Sequence, residues 1–239
     1  MWKSTVDGEV LHFRLVGVNN QNLIMEDEET GTWWQQVTGE ALLGPLQGRR
    51  LEWATFEQLT YEVWARENPG TTVLEPYPEF ADRYWPEAAD DDPRTGDWMP
   101  FPVEATPGDR VEQGELIVAV KLPHGEKAYP MRLLREQSPV TDSVGGRDIL
   151  LVVAADGRSV RCFDRSRGDQ KMLELFRKPD IEELRLVDTN TGSEWDFTGM
   201  AITGPLAGQV LERWPIYFDY WFDWRAHHPE EPVYTAGMF

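Results

Sequence analysis

The chain has 239 residues and a net charge of −19, from 42 acidic against 23 basic side chains, a field that repels nucleic-acid phosphates and anionic lipid alike. Its length suffices to bury a core as one large domain or two small ones. A single cysteine, Cys162, rules out an internal disulfide, and no run of 18 apolar residues is present to span a membrane.

The start, Met1-Trp2-Lys3-Ser4, lacks the apolar core of a signal peptide, which leaves open a leader or anchor removed ahead of it. Leu23-Ile24-Met25 reads as a short strand. Asp27-Glu28-Glu29-Thr30-Gly31 then reads as a hairpin turn, because Gly31 accepts positive φ, and a Trp-containing strand through Trp34 follows. In Gly44-Pro45-Leu46-Gln47-Gly48 the proline presets a turn between two permissive glycines; without a lysine it is no phosphate cradle. Thr60 to Glu67 reads as a short helix with Tyr61 and Trp64 on one face, stopped by Pro69. Residues 76–110, rich in proline, acids and aromatics and without periodicity, read as an irregular surface connection. Strand-like runs follow at 115–121, 148–154 and 159–163. Leu184 to Val187, the turn Asp188-Thr189-Asn190-Thr191-Gly192, Trp195, then Gly204-Pro205-Leu206-Ala207-Gly208 complete a second series. A helix from Tyr220 to His227, with Trp221 and Trp224 on one face and Pro229 as its stop, closes it.

The two series align. Thr30-Gly31, Trp34, Gly39, Gly44-Pro45-Leu46, Gly48, Leu51, Trp64 and Pro69 match Thr191-Gly192, Trp195, Gly199, Gly204-Pro205-Leu206, Gly208, Leu211, Trp224 and Pro229, about 160 positions later. The expected fold is mainly β, an α+β arrangement with few short helices and an internally duplicated module. Residues 1–75 form the first copy, 76–110 a connection, and 111–239 a second, complete copy. Trp34, Trp64, Trp195 and Trp224 are expected in two related core clusters, since each recurs at matched positions beside turn glycines.

These motifs resemble DUF3179, a bacterial domain of unknown function. The family's C-terminal half carries Asp-x-x-Thr-Gly-Ser-x-Trp-x-Gln, Gly-x-Ala, Gly-Pro-Leu-x-Gly and a later Trp. Both series here look like it, the first keeping Trp34 and Gln36 and the second replacing that Gln with Phe197. Ala128-Tyr129-Pro130, Asp142-Ser143-Val144-Gly145-Gly146 and Phe163-Asp164-Arg165 resemble the family's N-terminal half. Where the family usually shows Cys-Pro-Leu-Cys, this chain has Ala154-Ala155-Asp156-Gly157. Where it often has a His-Glu and an Asn-Asp pair, this chain has Gln137-Ser138 and Thr141-Asp142. The resemblance therefore implies a kept scaffold without the family's thiol pair.

Candidate chemistry is sparse. Cys162 sits in an expected strand beside Phe163 and reads as structural. His227 and His228 are adjacent, so they point to different faces, and with His12 and His124 they suggest no metal site. The acidic runs Glu26 to Glu29 and Asp90 to Asp92 lack calcium-loop spacing and read as solvated charge. No cofactor is expected. The first expectation for function is a non-catalytic accessory or protein-interaction subunit of a bacterial cell-envelope complex, periplasmic or envelope-associated. Its interface would be Tyr77, Phe80, Tyr84, Trp85, Trp98 and Phe101, together with Tyr234 and Phe239 of the C-terminal arm. A carbohydrate or small-ligand binding module is the second class and would need exposed aromatics with nearby amides. A divergent enzyme of the family, working without thiols, is the third. It would show as a pocket with a buried, coupled carboxylate pair.

Overall fold

The computed structural model describes residues 1–19, 22–54, 56–83, 111–112, 114–166, 172–179 and 183–235. The strands β1 (Thr5–Val6) and β2 (Glu9–Val10) form a hairpin. Then β3 (Phe13–Asn19), β4 (Asn22–Asp27), β5 (Trp33–Gln35) and β6 (Ala41–Leu43) make an antiparallel meander in chain order. Helix α1 (Tyr61–Glu67) follows, capped by Thr60, whose side chain accepts a hydrogen bond from the Val63 N–H. Pro78–Arg83 forms a 3-10 turn, so part of the segment read as irregular has local order; residues 84–110 lie outside the described set.

The second half builds two further sheets and a second meander. After β7 (Leu116–Leu122) and β8 (Gly125–Pro130) come α2 (Met131–Gln137), β9 (Val140–Val144), β10 (Arg147–Val153) and β11 (Val160–Asp164). The second meander is β12 (Leu175–Arg177), β13 (Leu186–Asp188), β14 (Glu194–Trp195) and β15 (Ala201–Thr203). The chain closes with β16 (Arg213–Trp214), β17 (Ile216–Tyr220) and α3 (Trp221–His227). Strand order is β16-β11-β10-β9 in one sheet and β17-β7-β8 in another, all neighbours antiparallel. The fold is mainly β, and no helix among the described residues is long and apolar enough to cross a membrane.

Side-chain alternation layers the core. Ile149, Leu151 and Val153 of β10 face a cluster with Val118 and Val120 of β7 and Leu134 of α2. Leu150 and Val152 point the other way, onto Trp195, Leu186 and Leu206 of the second meander. A strand covered on both faces needs an unbroken apolar run, and Ile-Leu-Leu-Val-Val supplies it. On the far side of β7, Ile117 and Ala119 meet Trp221 and Trp224 of α3, and Trp53 and Phe56 of the first half join that cluster. The first meander encloses its own small core of Leu11, Trp34, Ala41 and Leu51.

The two meanders use the same contacts at matched positions. The Asp27 carboxylate accepts from the N–H and hydroxyl of Thr30, at 2.6 and 2.7 Å; Asp188 does so from Thr191, at 3.1 and 2.7 Å. Thr32 Oγ1 accepts from Leu46 N at 3.2 Å and Ser193 Oγ from Leu206 N at 3.1 Å. Gly44 and Gly204 bring the Gly-Pro-Leu-x-Gly turn against this hairpin: a Cβ there would lie 2.8 Å from Thr32 Cα and 2.7 Å from Ser193 Cα. Each meander has a bulge beside its tryptophan, between β5 and β6 and between β14 and β15. Each helix ends alike, with Asn68 N or His228 N donating to the carbonyl of Trp64 or Trp224 at 2.9 Å.

The tryptophans follow the expected burial with one correction. Trp34, Trp195 and Trp224 are buried, but Trp64 is 41 % exposed. Helix α1 buries Val63, and Trp64 lies along the surface with its indole N–H on Thr71 Oγ1 at 2.9 Å. Helix α3 instead turns Trp221 and Trp224 inward as a stacked pair, 5.6 Å between centroids, against β7. The matched helices thus face different neighbours.

Candidate functional site

The end of β17 and the first turn of α3 read Tyr217-Phe218-Asp219-Tyr220-Trp221-Phe222-Asp223, two acids inside an aromatic run. Asp219 Oδ1 accepts from the Tyr220 N–H at 2.7 Å. Asp223 Oδ2 accepts from the side-chain amide of Asn22, on β4 of the first half. The remaining oxygens, Asp219 Oδ2 and Asp223 Oδ1, are buried with no N–H or O–H donor among the described residues. The two carboxyls perturb one another's titration, and because ionised carboxylates only accept hydrogen bonds, a proton held by the pair relieves their repulsion.

The electrostatics agree with that geometry. Burial, then the charge of Asp223, pushes Asp219 up to about 8. Burial pushes Asp223 up to about 6, against hydrogen bonds from Asp219 and Asn22 that favour its charged form. These titrations belong to the pair, which carries one proton and one negative charge near pH 7. His227 Nε2 stands 3.7 Å from Asp223 Oδ1, and burial followed by the neighbouring His228 lowers its pKa, favouring the neutral ring.

The pair lies in the wall of a cleft of 260 Å³, open to solvent, where the first half meets β17 and α3. Its rings are Trp2, Trp53, Phe56, Tyr217 and Phe218, and its amides are Asn22, Gln36 and Gln58. Trp53 sits centrally: Trp2 meets it edge-on at 4.7 Å, Tyr217 at 5.4 Å and Phe56 at 5.6 Å. Trp2 is fixed by its indole N–H on the Gln36 carbonyl at 2.6 Å and by Gly39, where a Cβ would lie 3.0 Å from the indole. Gln58 Oε1 accepts from the Phe218 N–H at 3.0 Å, tying the loop after Trp53 to β17. Behind the cleft the Tyr217 hydroxyl donates to Glu126, which also accepts from Lys121 at 3.0 Å and has His228 Nε2 at 3.5 Å.

A second polar cluster, centred on buried Arg161, joins the halves. The Arg161 guanidinium is 2 % exposed and donates to Glu57 at 2.8 and 3.1 Å and to Glu67 at 2.7 and 2.6 Å. The Phe197 ring covers it at 4.6 Å, and Arg213 reaches Glu57 at 2.8 Å. Beside it, Thr60 donates its N–H to Ser159 Oγ at 3.0 Å and its hydroxyl to Asp156 at 2.7 Å. The turn Ala154-Ala155-Asp156-Gly157 is therefore a docking point for the start of α1.

The sequence-derived candidates are scattered. Tyr77 and Phe80 are exposed and meet each other edge-on at 6.4 Å, with Arg83 over Phe80. Tyr234 is engaged within the chain: it stacks on Tyr129 at 5.3 Å and donates to Gln137 at 2.8 Å. Tyr84, Trp85, Trp98, Phe101 and Phe239 lie outside the described residues. The turn residues Gly44, Pro45, Gly48, Gly204, Pro205 and Gly208 shape the two meanders and do not line this cleft. Cys162 is buried in β11, and burial, then Asp164, pushes its thiol far above the usual range. Sequence reasoning missed Trp2, Asn22, Trp53, Asp219 and Asp223; two acids among seven aromatic-rich positions was the available signal.

Comparison with curated proteins and with solved structures finds no match. The family described as Protein of unknown function (DUF3179) matches residues 1–231, and the chain belongs to that family.

Proposed function

We propose that this protein is a small-ligand binding module whose site is the cleft between the first half and the β17–α3 junction. The carrying observation is the Asp219–Asp223 pair in the wall of a solvent-open cleft, set among three amides and five aromatic rings. Proteins concentrate perturbed acids and convergent polar groups in concave, ring-lined sites where a ligand completes the hydrogen bonding. Matched contacts in the two meanders support duplication of one unit, with the cleft formed where the copies meet. The test is a saturation-transfer NMR screen of small sugars, polyols, amines and organic acids, repeated on Gln36→Ala and Gln58→Ala chains. Hits weakened by both substitutions are expected; no hit, or hits indifferent to both, overturns the proposal. A coupled carboxylate pair in a cleft is also the feature expected of a divergent enzyme of the family, so turnover of a hit, abolished by Asp219→Asn, moves the reading to a carboxylate-based enzyme.

A second reading, the accessory subunit of an envelope complex, draws support from a different surface. Val73, Leu74, Tyr77 and Phe80 are exposed, Leu74 at 95 %, and apolar side chains clustered this way mark interaction surfaces. Native purification with cell fractionation tests it: an envelope partner lost with Leu74→Asp and Tyr77→Asp supports the reading, and a monodisperse monomer without a partner overturns it.

A further inference from the structure

Resting on that reading, we infer that the occupant of the cleft is a neutral, hydroxyl-rich molecule of single-sugar size, recognised by hydrogen bonds and ring contact and not by charge. The groups that face the cleft come as both donors and acceptors. Gln58 has its oxygen engaged by Phe218 and its NH₂ group available. Gln36 has a whole amide to offer, since its side chain makes no hydrogen bond among the described residues. The Asp219 and Asp223 carboxyls stand in the cleft wall, the Asp223 side chain 11 % exposed, with Asp219 Oδ2 and Asp223 Oδ1 themselves buried. A hydroxyl both donates and accepts, so a polyol satisfies this mixed set, whereas a carboxylate or phosphate satisfies only the donors.

Charge separates the candidates further. An anion would approach a pair that already bears a negative charge, on a chain of net charge −19, and like charges brought together this way disfavour a partner strongly. Lys121 is held by Glu126 at 3.0 Å, and burial lowers the α-amino group of Met1 in the cleft wall to about 6, which favours its neutral form near pH 7. A cation would find the Trp53 ring already carrying the Lys121 ammonium 5.7 Å from its centroid. The rings instead suit the weakly apolar C–H face of a sugar, which stacks while its hydroxyls reach the amides. The volume, 260 Å³, falls just under the ~300–1,000 Å³ of drug-sized sites, which favours one ring over an oligomer.

The experiment is isothermal titration of the full chain at pH 7 with methyl glucoside, methyl galactoside and myo-inositol. Glucose 6-phosphate and glucosamine serve as charged counterparts, and each titration is repeated on Gln36→Ala, whose fold is checked by thermal melting. At least one neutral compound is expected to bind, with Gln36→Ala weakening it at least threefold and the phosphorylated and amino compounds at least tenfold weaker. If a phosphorylated or amino compound binds as tightly as the neutral ones or more tightly, with Gln36→Ala weakening it, the inference is wrong while the binding cleft stands. If none of the five binds and the wider NMR screen is also empty, inference and binding cleft fail together. If none of the five binds but the screen yields a charged or non-hydroxylic hit at the cleft, the inference alone fails.

Discussion

Replacing Asp219 by asparagine tests the shared proton directly. Asparagine mimics the protonated acid: its oxygen accepts from the Tyr220 N–H and its NH₂ donates to Asp223. An acid whose pKa rises on folding binds its proton more tightly in the folded chain. From the ordinary aspartate value of 3.8 up to about 8, the folded protein keeps a proton that the unfolded chain has lost. Stability therefore falls as pH rises through that window, by ~1.4 kcal/mol per pH unit for one proton, and levels off above it. Between pH 5 and pH 8 the wild type is expected to lose up to about 4 kcal/mol through this pair. Asp219→Asn removes that slope, leaving the variant close to wild type at pH 5 and the more stable chain at pH 8. His227, lowered, and His12, raised by Glu29, also titrate near this range, but both chains retain them, so the difference between chains isolates the pair. Urea unfolding at pH 5, 6, 7 and 8 provides the measurement. A stability difference that stays constant across those four pH values would refute the shared proton.

Arg161→Ala leaves Glu57 and Glu67 without their buried partner and is expected to destabilise by ~3–5 kcal/mol, with Glu67→Gln milder; chemical denaturation reads both. Trp34→Ala is expected to cost ~3–5 kcal/mol and Trp64→Ala, at the surface, about 1 kcal/mol or less; equal effects would show that the two helices pack alike after all. Gly204→Ala should destabilise more than Gly208→Ala in thermal melts, because both have positive φ but only the first would press a Cβ onto the Ser193 backbone, at 2.7 Å. Cys162 should resist thiol labelling in the native protein and react at once in denaturant; rapid native labelling would contradict its burial.

Much of the local structure was legible because single residues dictate it. Gly31 and Gly192 both take positive φ at hairpin turns, Pro69 and Pro229 follow helices, and Ile149 to Val153 is a doubly covered strand. Helix α2 was not legible: its N-cap is Pro130, without a side-chain capping bond, so no start signal precedes it. Burial was legible where a residue's neighbours are near in sequence and failed where they are distant. Trp64 and Trp224 occupy matched sites on helices of the same length, yet one lies at the surface and the other against β7, because only α3 continues directly from a strand of that sheet.

The same reasoning explains why the candidate site escaped the sequence. The matched motifs mark what each copy needs in order to fold: an acid to anchor a turn, glycines for backbone approach, a tryptophan to fill a small core. Trp34 and Trp195 fill small cores and the turn glycines shape backbone, so neither marks the cleft. The cleft draws on positions where the two aligned series differ. Asn22, Trp53 and Phe56 come from the first half and Asp219 and Asp223 from the second; the positions aligned with the two acids are Leu59 and Val63. Val63 is buried as an ordinary apolar contact of α1, while its counterpart Asp223 is buried as an acid whose charged form burial disfavours. An apolar residue at one aligned position and a buried acid at the other place a desolvation cost on the second half that the first half does not carry.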